Sequence, residues 1–131
     1  MPTLASARGQ LQILLWLVAL HSLAVGVGLL LHPAGLLARA GYAPVGEPFF
    51  PSQGGVFHFV MAVGYALGAR DPERNEALIR FAVVVKFMAL AFLVAYWLAH
   101  RQLLVVLGSG LADGVMGLLI LWALRRWRRE T

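Results

Sequence analysis

Four long apolar stretches dominate the chain and restrict what it can fold into. They run from about Leu11 to Leu31, Ser52 to Ala69, Leu78 to Ala99 and Leu103 to Leu124. Each is close to the roughly 20 residues that a helix needs to cross the hydrocarbon core of a bilayer. The sequence therefore predicts an all-α, integral membrane four-helix bundle, whose four transmembrane helices form a single domain over residues 1–131.

The composition agrees with lipid as the main solvent of this chain. Hydrophobic residues make up 60% of the 131 residues and charged residues 13%, whereas a soluble domain carries about 25% charge. The chain contains no cysteine. This excludes disulfides, zinc–thiolate sites, iron–sulfur clusters and thiol catalysis.

The lengths of the connections predict how the helices are arranged. Eight residues (Arg70 to Ala77) and three residues (His100 to Gln102) separate the later stretches, and such short connections make neighbouring helices antiparallel. The first connection, about 20 residues from His32 to Pro51, contains four prolines and cannot be one helix. We expect its apolar part, Pro33 to Ala40, to form a short helix at the membrane interface.

The distribution of arginine predicts the orientation. With four spans, eight arginines share one side of the membrane: Arg8, Arg70, Arg74, Arg80, Arg125, Arg126, Arg128 and Arg129. Arg39 and Arg101 fall on the other side. Since basic residues accumulate on the cytoplasmic side, we expect both termini inside a bacterial cell, with the chain in its cytoplasmic membrane. These arginines flank apolar stretches, so we expect them to contact lipid headgroups and not nucleic acid.

A secretory signal peptide is a second interpretation of the first stretch. Arg8 would belong to its basic segment, and Ala38-Arg39-Ala40 would be the cleavage site. The apolar run is longer than the roughly 7–15 residues of such peptides, and the cleavage site lies far beyond it. A first membrane span is therefore the preferred interpretation.

Polar side chains interrupt the apolar stretches at one level. Lys86 and Asp113 lie near the middle of the third and fourth stretches, and His21, His58 and Tyr65 lie within the first two. At a rise of about 1.5 Å per residue, all except His58 lie about 15–20 Å from the outer face, and His58 lies about 9 Å from it. We call these five residues the polar cluster. Because the last two helices form a short hairpin, we expect a salt bridge between Lys86 and Asp113.

Small residues accompany the polar ones and favour close helix packing. They are Gly110, Gly114 and Gly117 beside Asp113, Gly64 and Gly68 near Tyr65, Ala82 and Ala89 beside Lys86, and Ala24, Val25 and Gly28 beside His21. This pattern predicts that the polar cluster faces the interior of the bundle.

The chemistry of the polar cluster admits several interpretations. Lys86 and Asp113 fit a structural ion pair that fixes helix register, or a relay for protons or substrate. His21 and His58 fit interior histidines held by hydrogen bonds, or a pair of haem ligands. No catalytic motif is present, since the sequence lacks HExxH, a glycine-rich phosphate loop and paired carboxylates. No catalytic residue and no other metal site are predicted.

The chain resembles the DoxX-like group of small four-helix bacterial membrane proteins. The resemblance lies in Gly54-Gly55 opening the second helix, in the Asp71-Pro72 turn and in Ala112-Asp113-Gly114 within the fourth helix. It covers roughly residues 10–124. It implies the fold and the location, and some members of the group are membrane subunits associated with quinone-linked oxidoreductases. No catalytic residue carries over by position.

Three functions remain open from the sequence. The leading one is an accessory or scaffold subunit that binds a lipophilic molecule, such as a quinone or a lipid, in a polar cavity near the midplane. It would contact membrane lipids and work as a homo-oligomer or within a larger membrane complex. The second is a small oligomeric proton-coupled transporter that uses Asp113 and Lys86. The third is a redox protein that holds haem through His21 and His58.

Overall fold

The computed structural model describes residues 6–100 and 103–130, and its regular elements are all helices. They are α1 (Ala7–Leu31), α2 (Ala34–Arg39), α3 (Phe49–Arg70), α4 (Glu76–Ala99) and α5 (Leu104–Glu130). Within these residues there is no β-strand, so the predicted all-α class is confirmed. Four long helices correspond to the four apolar stretches, and α2 is the short helix predicted in the first connection.

Local chemistry sets the ends of α1. The Ser6 hydroxyl oxygen accepts a hydrogen bond from the backbone N–H of Gly9 at 3.0 Å, which satisfies one of the free donors of the first turn. At the other end His32 takes a left-handed conformation with φ 45° and donates its N–H to the Gly28 carbonyl. Pro33 follows and cannot continue the helix.

Three helices are long and apolar enough to cross a membrane, namely α1, α4 and α5. The third helix, α3, has 22 residues and so about 33 Å of length. It is less apolar because Gln53, His58, Tyr65 and four glycines lie among its hydrophobic residues. Length and composition thus support three of the four predicted spans, and the fourth stays a prediction.

The long helices contact one another in a cyclic order. Contacts join α1 to α3, α3 to α4, α4 to α5 and α5 to α1, and the most extensive are those of α1 with α3 and of α4 with α5. The expectation that α4 neighbours both α3 and α5 is confirmed. The architecture is best described as two helix pairs, α1/α3 and α4/α5, that lie side by side.

One end of the molecule holds the start of α1, the α3–α4 connection and the end of α5. Arg8 lies 3.1 Å from Glu73, and Arg126 donates to Gln10 at 3.2 Å. We call this end the Arg8 end, and the opposite one the His100 end. The contacts bring together arginines that the sequence placed on one side. Arg101, predicted on the other side, lies outside the described residues.

The two pairs share an apolar core mainly toward the Arg8 end. Its buried members come from all four long helices and include Leu11, Leu15, Tyr65, Ile79, Ile120 and Trp127. Toward the His100 end, beyond Ser22 on α1 and Asp113 on α5, three glycines and Val106 are the buried residues among those described: Gly26, Gly55, Val106 and Gly110. The glycines pack within a pair and not between pairs.

The segment after α2 reaches the α4/α5 pair at the His100 end. Gly41, with φ 84°, lies so close to Leu103 that an added Cβ atom would come within 3.1 Å of its side chain. Tyr42 follows it and lies near Tyr96 of α4; burial and that neighbouring phenol raise the pKa of Tyr42. This loop therefore links the two helix pairs where their cores do not meet.

Candidate functional site

Lys86 and Asp113 form a buried ion pair between α4 and α5. The Lys86 Nζ atom lies 2.6 Å from the Asp113 Oδ1 atom, and the side chains are 4% and 14% exposed. The predicted salt bridge is confirmed. An ion pair inside apolar helices must satisfy its charges internally, and the short hairpin connection brings these two residues to the same level.

Glycines on α5 allow the close approach that the ion pair needs. A Cβ atom added to Gly117 would lie 3.1 Å from the Lys86 Cβ atom, and one added to Gly114 would lie 2.9 Å from the Leu90 side chain. Gly110 would meet Leu93 at 3.0 Å. The expectation that these glycines form a packing face is confirmed, and that face lies against α4.

Tyr65 brings α3 to the ion pair. Its side chain is 2% exposed, and its ring centroid lies 5.6 Å from the Lys86 Nζ atom. This distance is within the range of a cation–π interaction. Lys86 is therefore stabilised by a carboxylate on one side and by an aromatic face on another.

His58 is held by a residue that the sequence analysis missed, Ser22 of α1. The Ser22 hydroxyl donates to the His58 carbonyl oxygen at 3.0 Å and lies 3.1 Å from His58 Nδ1. Because that hydroxyl has one proton, the Nδ1 atom is the donor in the second contact, and Nε2 is left as the free acceptor of a neutral ring. Ser22 is 1% exposed.

The close crossing of α1 and α3 explains this contact. A Cβ atom on Gly55 would lie 2.8 Å from the Gly26 carbonyl oxygen, and one on Gly26 would lie 2.9 Å from that of Gly55. Ser22 and Gly26 are one turn apart and form the small-residue pair that membrane helices use for close packing. That spacing could have identified Ser22 in the sequence.

The predicted packing face of α1 is wrong at two positions. An added Cβ on Gly28 would meet nothing within 4 Å, and Ala24 is exposed. The face that packs on α3 carries Ser22 and Gly26 instead. Successive residues on a helix point about 100° apart, so an error of one or two positions changes the face.

The prediction that the polar cluster faces the interior of the bundle is wrong for His21, whose side chain is exposed. It lies close enough to Lys86 and Asp113 to interact with both electrostatically. His58 interacts with the same pair and with His21. His21 makes no hydrogen bond with any residue in 6–100 or 103–130. Its imidazole therefore retains both its donor and its acceptor.

The five predicted residues are thus near one another, but they have unequal chemical capacity. Lys86 and Asp113 satisfy each other and the Tyr65 ring contacts Lys86, whereas the His21 ring and His58 Nε2 have free capacity for hydrogen bonds. Within the described part of the chain, no three His, Asp or Glu side chains gather as ligands for a metal ion. The polar cluster is therefore suited to bind a polar group of another molecule beside the dipole of the Lys86–Asp113 ion pair.

The geometry alone carries the assignment of this site. Comparison of the chain with models of protein families, with curated proteins and with solved structures finds no match.

Proposed function

We propose that the chain is a four-span membrane protein that binds a lipophilic ligand with a polar head, such as a quinone or a lipid, at the polar cluster. It acts as an accessory or scaffold subunit in the bacterial cytoplasmic membrane, with the Arg8 end inside. The observation that carries the proposal is the exposed, unpartnered His21 imidazole beside the buried Lys86–Asp113 pair.

The physical argument concerns the cost of polar groups in lipid. A polar group without a hydrogen-bond partner in an apolar medium costs roughly 2–7 kcal/mol. His21 lies at the middle of α1, where lipid tails offer no partner. A carbonyl or hydroxyl of a bound ligand would satisfy the imidazole, and His58 Nε2 offers a second position for a donor.

The proposal includes α3 as the fourth span. Its length is close to the roughly 30 Å of a hydrocarbon core, and it packs closely on α1. Its polar side chains His58 and Tyr65 contact other helices, so they do not oppose insertion. The DoxX-like relationship stays a prediction.

The test combines native mass spectrometry with a titration. We expect protein released gently from its own membranes to retain a small lipophilic molecule. We also expect a short-chain ubiquinone analogue to bind the purified protein. His21→Ala removes one hydrogen bond worth about 1 kcal/mol, so its Kd should be roughly fivefold weaker. His100→Ala, an exposed histidine at the end of α4, is the matched control and should not change the affinity.

Three results would contradict the proposal. If the protein neither retains a lipophilic molecule nor binds the quinone analogue, the polar cluster is not a ligand-binding site. A Soret band lost in His21→Ala would indicate the haem protein. Proton-coupled uptake that Asp113→Asn abolishes, in a protein that still folds, would indicate the transporter.

A further inference from the structure

A second feature of the molecule lies on α5 at the Arg8 end, away from the polar cluster. A groove of about 570 Å³ follows one face of this helix. Its lining comprises Leu118, Leu121, Trp122, Arg125, Arg126, Arg129 and Glu130. From Leu118 to Arg129 the helix rises about 16 Å, and along it the lining changes from aliphatic to aromatic to cationic. We call this the α5 groove.

The charges in the α5 groove are only partly satisfied. The Arg126 guanidinium contacts the Gln10 amide at 3.2 Å and the Glu130 carboxylate at 3.4 Å, and it lies 5.7 Å from the Trp122 ring. Arg125 and Arg129, one turn apart, make no ion pair or hydrogen bond with any residue that the structure describes. Two guanidinium groups are therefore free to bind an anion.

The surrounding glutamates do not supply that anion. At this end Glu73 pairs with Arg8, Glu76 pairs with Arg80 and Arg128, and Glu130 pairs with Arg126. A second copy of this chain would present the same paired glutamates at this end, together with Asp71, whose carboxylate accepts the Arg74 backbone N–H. The charge pattern therefore favours an anion of another molecule over a homodimer contact.

We propose that the α5 groove binds the headgroup of an anionic phospholipid. Arg125 and Arg129 hold the phosphate, since guanidinium groups match its oxygens in bidentate geometry. Trp122 contacts the glycerol region, where aromatic side chains concentrate at membrane interfaces. Leu118 and Leu121 contact an acyl chain. From the arginines through Trp122 to the leucines, the lining thus follows the same order as the phosphate, glycerol region and acyl chain of the lipid.

The proposal requires α5 to lie in a membrane, as proposed above, and is independent of any ligand at His21. The exposed side chains of Leu118 and Trp122, 58% and 54%, show that no other described helix covers this face. The groove is therefore accessible from the lipid phase and from the adjacent headgroup layer.

The experiment is native mass spectrometry of the full chain in detergent, titrated with dioleoylphosphatidylglycerol or dioleoylphosphatidylcholine. We expect the wild type to retain phosphatidylglycerol preferentially. The variant Arg125→Gln/Arg129→Gln should bind it roughly 30-fold more weakly, since each of the two basic residues contributes about 1 kcal/mol to contacts with anionic lipid. Arg70→Gln/Arg74→Gln removes the same charge elsewhere at the Arg8 end and should bind as the wild type does.

Several outcomes would overturn the proposal. If both double variants lose affinity for phosphatidylglycerol equally, general electrostatic attraction holds the lipid and the α5 groove is not a specific site. Equal retention of phosphatidylcholine would show that the anionic headgroup is not recognised. Inorganic phosphate that binds the wild type while the lipid does not would assign the arginines to a free anion. His21→Ala should leave lipid retention unchanged, so failure at the polar cluster is distinguishable from failure here.

Discussion

At the scale of single residues, the Lys86–Asp113 pair shows how two long apolar helices carry charge. The lysine has a carboxylate partner and an aromatic ring within reach, while Gly117 gives its stem room. Removal of one partner leaves a buried charge uncompensated, which is far more costly than removal of both. The pair therefore behaves as one energetic unit.

We predict that Asp113→Asn lowers the free energy of unfolding by about 3–5 kcal/mol. The double variant Lys86→Met/Asp113→Leu should recover most of this loss, because it leaves no unpaired charge. Unfolding in mixed micelles, followed by circular dichroism, measures both. Ser109→Ala is the control, since among the described residues that exposed hydroxyl bonds only to the Val105 carbonyl in the preceding turn. A stable Asp113→Asn variant would contradict the structural role.

The residue scale also shows what could be predicted for the site. The ion pair followed from the sequence because a short hairpin fixes the register of α4 against α5. The Ser22–His58 contact did not, since the long connection between α1 and α3 leaves their register free. That register depends on the close approach of Gly26 and Gly55. The spacing of Ser22 and Gly26 marks a packing face on α1, but it does not tell which residues of α3 lie against that face.

At the scale of elements, the crossing of α1 and α3 is the most sterically constrained contact in the described structure. The atoms that would meet an added Cβ on Gly55 include a backbone carbonyl oxygen, which cannot move aside as a flexible side chain can. Gly64, on the same helix, has open space around it, so the prediction of close packing at Gly64 is wrong. The two glycines therefore provide a matched comparison.

We predict that Gly55→Ala destabilises the protein by about 1–3 kcal/mol through overpacking and separates Ser22 from His58. Gly64→Ala should be neutral or stabilising by up to about 1 kcal/mol, because alanine favours the helix over glycine. Thermal unfolding in detergent compares them. Equal effects of the two substitutions would show that the crossing is looser than described.

Helix boundaries illustrate the limits of hydropathy. The fourth apolar stretch ends near Leu124, but α5 continues to Glu130 because arginine is a good helix former and a helix does not end where lipid does. Similarly, the sequence predicts a first connection that extends to Pro51, but α3 already begins at Phe49. Apolar length locates the elements, whereas capping and propensity set their ends.

At the scale of the whole molecule, the main prediction concerns membrane topology, namely whether α3 crosses the membrane. If α3 crosses the membrane, then Glu47 before it and Arg74 after it face opposite compartments. If α3 lies within one leaflet, both face the same one. The absence of cysteine from the chain makes this question experimentally simple.

We predict that a membrane-impermeant maleimide labels Glu47→Cys in intact cells and labels Arg74→Cys only after the cells are opened. The unmodified chain has no thiol and is the blank control. Labelling of both single-cysteine variants in intact cells would remove α3 as a span. The reverse pattern would keep four spans and invert the orientation.

The division of the molecule into two helix pairs has a mechanical consequence. Their shared core lies toward the Arg8 end, whereas at the His100 end the loop around Gly41 forms a link between them in the described part of the chain. With the helices in a membrane, as proposed, the spacing of the pairs there would respond to the lateral pressure of the surrounding leaflet. Lipids that lower this pressure would widen the gap between the pairs at that end, while the contact of Tyr65 on α3 with Lys86 on α4 holds the pairs together nearer the middle of the molecule.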